Sequence, residues 1–212
     1  MQTADRHVAA ARVDTVDALR DLYGEPVERA RIKVIDHIDA HCRDFIAASP
    51  FVVLATGAST GFDCSPKGDP AGFVQVQDDK TLLIPDRRGN NRIDGLVNLI
   101  EDPRVGLIFL VPGVNETLRV NGRATISADP ALTGRFEVRG KAPITVLVVA
   151  VEEAFLHCAK ALVRSDLWNP ATRIDRGCLP STGRMLADHT GGAVDPVTYD
   201  AELIERHQRE LY

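Results

Sequence analysis

Apolar positions along the chain change their period near residue 50. Before it, Ile35, Ile38, Cys42 and Phe45 recur at spacings of three and four, which predicts one helix after Glu25-Pro26, preceded by a shorter helix from Asp14 to the Tyr23-Gly24 joint. From Phe51 the runs become short and rich in β-branched residues: FVVLAT at 51–56, AGFVQVQ at 71–77 and TLLI at 81–84, with Asp78-Asp79-Lys80 as a hairpin turn between the last two. Ile93, Leu96, Val97 and Ile100 then mark one face of a helix that Asp102-Pro103 stops. VGLIFLV at 105–111 is apolar on both faces and reads as a central strand. TLRVNGRATIS at 117–127 alternates instead, with Leu118, Val120, Ala124 and Ile126 on the core side and Thr117, Arg119, Asn121, Arg123 and Thr125 on the other. ITVLVVAVEEAFLHC at 144–158 predicts the last strand. A short helix near 159–167, an extended Gly-, Pro- and charge-rich connection over 169–196 and a helix from Pro196 to Arg209 complete the expectation.

Six or so strands with a single helix inserted between the fourth and fifth do not make a repeat of βαβ units. The pattern predicts a mainly β, α+β protein: a small six-stranded antiparallel barrel with an inserted helix and helices at both ends. Its expected organisation is a helical extension over 1–50, the barrel over 51–168, and a loop with a helix over 169–212 packed on the same domain.

Composition narrows the partners. A 212-residue chain that is 44% hydrophobic can bury one core, and a net charge of -5 disfavours polyanionic partners, so neither nucleic acid nor an anionic membrane is expected. No apolar run approaches the ~20 residues of a membrane span, and the first residues lack the apolar middle of a secretory signal, which predicts a cytoplasmic protein. Cys42, Cys64, Cys158 and Cys178 form no C-x-x-C pair and read as reduced thiols, with Cys64 and Cys158 expected to be small buried residues. His37 and His41 have no third ligand in view and read as solvated or packed.

The chemistry concentrates in IPDRRGNNRIDG, residues 84–95. Arg87, Arg88 and Arg92, the amides of Asn90 and Asn91 and the turn at Gly89 stand just before a helix, whose first N–H groups are unpaired and carry partial positive charge. Together they make a cradle for a dianionic phosphate. In DCSPKGDPAGFVQV, 63–76, Ser65, Lys67 and Gly68 are expected on a turn leading into the strand that pairs with 81–84. Such a hairpin would carry Lys67 to the same end as the arginine turn. Thr117 and Arg119, on the polar side of their strand, could reach the rest of a ligand. Each segment alone equally suits a solvated surface; their convergence is what would make a site.

SPKGDPAGFV, TLLIPDRRGNNRIDGLVNLIEDPRVGLIF and ETLRVNGRA resemble, in order along the chain, the pyridoxamine 5'-phosphate oxidase-like flavin-binding split-barrel superfamily, and FLHCAKALVRSDLW is similar to its last strand and helix. The resemblance covers Phe51 to Trp168. It implies a six-stranded split barrel that forms a homodimer with FMN at the subunit interface. It also implies a flavin-dependent oxidoreductase acting on a small organic substrate. By the same resemblance, Arg87, Arg88, Asn90, Asn91 and Arg92 would hold the phosphate, Ser65 and Lys67 the phosphate or ribityl side, and Thr117, Arg164 and Trp168 the ring, the last two from the other subunit. A non-catalytic flavin-binding or flavin-sensing protein, or a relative using deazaflavin F420, are the alternatives. The arginine-x-histidine substrate segment of authentic pyridoxamine phosphate oxidases is not found after Trp168; IERHQRELY has the residue types but falls on an expected helix. No catalytic side chain is assigned.

Overall fold

The computed structural model describes residues 12–212, in two compact units, one ending at Val34 and the other running from Ile35 to Tyr212. In the first, α1 (Val16–Tyr23) is capped by the Thr15 hydroxyl, which accepts from the Ala18 N–H at 3.1 Å, and α2 (Glu28–Ile32) follows. The single helix expected to carry Ile35 through Phe45 does not form. Ile35 instead bridges to Ala154 in the second unit's sheet, and α3 (Ala40–Ala48) begins at its own cap, Asp39, whose carboxylate accepts from the Cys42 N–H at 2.8 Å. Helical spacing of apolar residues there reflects burial of Ile38, Cys42 and Ile46 against the sheet rather than one continuous helix.

The sheet has seven strands, one more than expected: β1 (Phe51–Ala58), β2 (Gly61–Gly68), β3 (Gln75–Val76), β4 (Thr81–Asp86), β5 (Arg104–Leu110), β6 (Thr117–Ser127) and β7 (Thr145–His157). Their order is β2-β1-β5-β6-β7-β4-β3, and every neighbouring pair is antiparallel. The unanticipated strand is β2, which pairs with β1 from Phe51↔Gly68 to Ala58↔Gly61. Pro66 and two glycines disguise it in the sequence. An edge strand with one flank unpaired tolerates a residue that cannot donate, and β2 is at the edge. Conversely, the run at 71–77 keeps only two residues of strand, paired to Leu82 and Leu83.

Alternation along β4 to β7 puts Leu82, Ile84, Leu107, Phe109, Leu118, Val120, Leu147 and Val149 into one core, capped by Ile38 and Ile46. β5 is buried on one face only; Gly106, Ile108 and Leu110 on its other face are partly or fully exposed, so it is central in the ladder but not covered on both sides. Between β6 and β7 the register slips at Asn121/Gly122. A Cβ at Gly122 would lie 2.1 Å from the Ala150 carbonyl oxygen, so only glycine lets the two backbones approach there.

The inserted helix, α4 (Asp94–Glu101), follows β4 as expected, but with a different buried face: Asn98 and Leu99 point inward while Ile93, Val97 and Ile100 are exposed. The Asn98 amide donates to the Thr56 hydroxyl of β1 at 3.2 Å, a buried bond that sets the helix rotation. The short α5 (Pro130–Thr133) precedes β7, and α6 (Lys160–Ser165), α7 (Thr182–His189) and α8 (Pro196–Glu210) follow it. The connection over 169–196, expected to be extended, thus contains a helix, started by Ser181, whose hydroxyl accepts from the Arg184 N–H at 3.1 Å. Cys42 is buried, and burial pushes its thiol up to about 11. Cys64 and Cys158 are exposed, contrary to expectation, because both take outward positions of the strand pattern or its end. No helix of the described residues is long and apolar enough to cross a membrane.

Candidate anion-binding cleft

Strand β2 alternates strictly, and its inward positions are Asp63, Ser65 and Lys67. These three face a cleft of about 490 Å³ whose other walls are the turn from Asp86 to Leu96 and the start of β7 at Ile144, Thr145 and Leu147. The cleft lies between the two margins of the sheet, β2 on one side and the uncovered end of β4 on the other. Lys67 reaches the arginine turn, as expected, but along a different path. It sits on an edge strand paired to β1 rather than on a turn leading into the partner of 81–84.

Two ion pairs tie the margins together. The Lys67 ammonium bonds the Asp86 carboxylate, and Arg87 Nε donates to Asp69 Oδ2 at 2.7 Å, with the Asp69 side chain only 3% exposed. Arg87 Nη1 also donates to the Phe136 carbonyl at 2.7 Å. Arg92 bonds Asp94 at 2.7 Å. Arg88 is exposed and has no ion pair or hydrogen bond among the described residues. Of the four cations that line the cleft, Lys67, Arg87 and Arg92 are held in ion pairs, and Arg88 is the one not already answered.

The turn is built for close approach. Asn91 (φ 59°) and Ile93 (φ 51°) are both left-handed; asparagine tolerates this, but a β-branched residue there stores strain. The Asn90 side-chain oxygen accepts from the Arg92 N–H at 3.1 Å. Ile93 supplies no side-chain cap to α4, and Asp94, Gly95 and Leu96 at the start of that helix line the cleft. Asp63 packs on the same first turn: a Cβ on Gly95 would meet Asp63 Oδ2 at 2.7 Å, and Ser65 Oγ donates to that oxygen at 2.6 Å. Across the sheet pairing from Asp86, the hydroxyl oxygen of Thr145 is buried and has no hydrogen-bond partner among the described residues.

Seven residues singled out in the sequence, Ser65, Lys67, Arg87, Arg88, Asn90, Asn91 and Arg92, line this one cleft. Four others do not, among them Arg119, whose guanidinium carbon lies 5.2 Å from the centre of the Phe155 ring. Thr117 is buried at the start of β6, opposite His157. Arg164 is exposed on α6, and the Trp168 indole donates to the Val114 carbonyl at 2.8 Å. Sequence reasoning missed Asp63, Asp86, Asp94 and Thr145. The alternation Asp63, Ser65, Lys67 was a usable strand signal; Thr145 carries none, since its interest is a missing partner.

An antiparallel barrel split along one seam, with a basic turn and a helix start at that seam, defines a split-barrel protein. The chain belongs to the pyridoxamine 5'-phosphate oxidase family, whose model matches residues 38–158. No curated relative matches it in sequence. Among solved structures, a variant of HupZ from Group A Streptococcus aligns at 23% identity over 57% of this chain and 99% of its own, with a TM-score of 0.46. An FMN-binding protein from Syntrophomonas wolfei aligns at 14% identity over 68% of this chain and 97% of its own, TM-score 0.45. General Stress Protein 26 from Bacillus anthracis aligns at 17% over 55% and 93%, TM-score 0.39.

Proposed function

We propose that this chain binds FMN in the cleft and serves as a flavin-dependent oxidoreductase on a small organic substrate. The observation that carries the reading is the gathering of Ser65, Lys67, the 87–92 turn and the start of α4 around one cleft, with the Thr145 hydroxyl, buried and without a hydrogen-bond partner among the described residues, across the sheet pairing from Asp86. A phosphate ester suits that donor set: Arg88 offers an unneutralised guanidinium, Lys67 and Arg92 can share their charge, and Asn90, Asn91 and Thr145 offer hydrogen bonds. When bound, the flavin ring supplies the hydride chemistry. The chain's own residues bind the phosphate, orient the ring and limit water. Asp86 and Asp94 hold Lys67 and Arg92 in place and temper the charge, favouring an ester over bulk anions.

The reading includes a homodimer. Phe62 is 94% exposed and Ile100 79%, and with Val97 and Ile108 they leave apolar surface of the kind a second copy covers. In that assembly the exposed Arg164 and the Trp168 ring of a second copy would approach the flavin, and Thr117 would act through the strand it anchors.

The purified protein is expected to show flavin absorbance that a reduced nicotinamide bleaches and air restores. Arg88→Ala should weaken FMN by about 2 kcal/mol, the scale of a hydrogen bond to a charged group, and leave riboflavin unchanged. Protein that is colourless and ignores added FMN overturns the reading; bound FMN without turnover leaves a flavin-binding protein, and preferential competition by F420 reassigns the cofactor.

A further inference from the structure

Behind the arginine turn, away from the cleft, a second cavity of about 390 Å³ shares Lys67, Arg87, Arg88 and Gly89 with it and is closed by Leu211 and Tyr212. Tyr212 is held there at its phenol and at its backbone oxygen. Its phenol donates to Asp69 Oδ1 at 2.5 Å, and its backbone oxygen accepts from Lys141 Nζ at 2.6 Å. Its ring lies 5.3 Å from the Arg87 guanidinium carbon and 5.7 Å from that of Arg139. The other oxygen of Asp69 takes Arg87 Nε at 2.7 Å. One carboxylate, nearly fully buried, therefore joins a residue at the far end of the chain to the first residue of the turn.

The two adjacent arginines are thereby given different work. Arg87 spends its Nε on Asp69, its Nη1 on the Phe136 carbonyl and its face on Tyr212. Arg88, next in sequence, is exposed and unpaired among the described residues and borders both cavities. We propose that Tyr212 is a positioning residue for the cleft, locking Arg87 through Asp69 so that Arg88 and residues 89–92 are preset toward the ligand. Arg87 is then the turn's anchor rather than its phosphate ligand. The part concerning FMN rests on the cofactor reading above; the locking of the turn does not.

The test uses the full chain with Tyr212→Ala and Tyr212→Phe, titrated with FMN and riboflavin, together with amide hydrogen exchange of the ligand-free protein over 86–92. Losing the ring and the phenol in Tyr212→Ala should raise exchange over 86–92 about tenfold and weaken FMN about tenfold, with riboflavin changed less than about twofold. Tyr212→Phe keeps the ring over Arg87 but not the bond to Asp69, and should fall between; it also decides the matter if Tyr212→Ala does not fold. A merely structural loss would weaken both flavins alike. Unchanged exchange over 86–92 with an unchanged FMN-to-riboflavin ratio overturns the proposal. If the wild-type protein binds no FMN, the cofactor reading falls, and the exchange result alone upholds or overturns the lock.

Discussion

Two of the cavities in the described residues make a contrast, and the larger is the less informative. A groove of about 700 Å³ runs over the outer faces of β1, β5 and β6, floored by Gly57, Gly106 and Gly122 and edged by Glu101, Asp102, Arg104 and Glu152. Its cation, Arg104, is already answered by Asp102, two residues away, and Glu101 accepts from the Ser59 N–H at 3.0 Å. The smaller cleft draws its polar groups from β2, the 86–94 segment and β7, which are remote in sequence. Volume marks where chain is missing; convergent donors that include an unanswered cation mark where a ligand is expected.

That contrast can be broken experimentally. The largest effect belongs to the groove and to folding. Gly122→Ala puts a Cβ against the Ala150 carbonyl and should cost about 3 kcal/mol in a denaturant titration, with the FMN-to-riboflavin ratio unaltered in the protein that remains folded. In the cleft the signs oppose each other. Thr145→Val removes a buried hydroxyl that lacks a partner, so the free protein should gain about 1 kcal/mol of stability while FMN binding weakens about threefold. A loss of stability there would mean the hydroxyl already serves the fold.

The smallest effect is a proton equilibrium at the groove's rim. The Arg104 side chain, followed by its backbone N–H, holds the Asp102 carboxyl at about 2 against the ordinary 3.8. A depressed carboxyl adds stability that is complete above about pH 4 and is lost as pH falls through about 2. Because the pair is exposed, the readout is the titration itself: Arg104→Ala should return the Asp102 resonance toward its ordinary midpoint, with cofactor affinity untouched.

The contrast also explains what the sequence disclosed. The basic turn was legible because Arg87 to Arg92 are contiguous and precede a helix whose periodicity is clear. The barrel was legible from alternation in β6 and the apolar runs of β5 and β7. The strand β2 was not, because Pro66 and the flanking glycines obey the rules of an edge and look like those of a loop. Nor were the carboxylate partners: Asp69 meets Arg87 across the seam, and nothing local distinguishes Asp69 from any aspartate before a proline. The rotation of α4 was misread because a buried asparagine, paired with Thr56, sets the inward face with Leu99 and leaves Ile93, Val97 and Ile100 exposed.

The proline of β2 has a consequence for the molecule in company. A sheet margin with a continuous row of main-chain donors is a template on which a stranger's strand can grow, and crowded proteins fail by that route. Pro66 interrupts the row halfway along β2, and Lys67 beside it adds a charge to the same rim. The rim that admits a ligand between side chains is for that reason a poor place for fibrils to start.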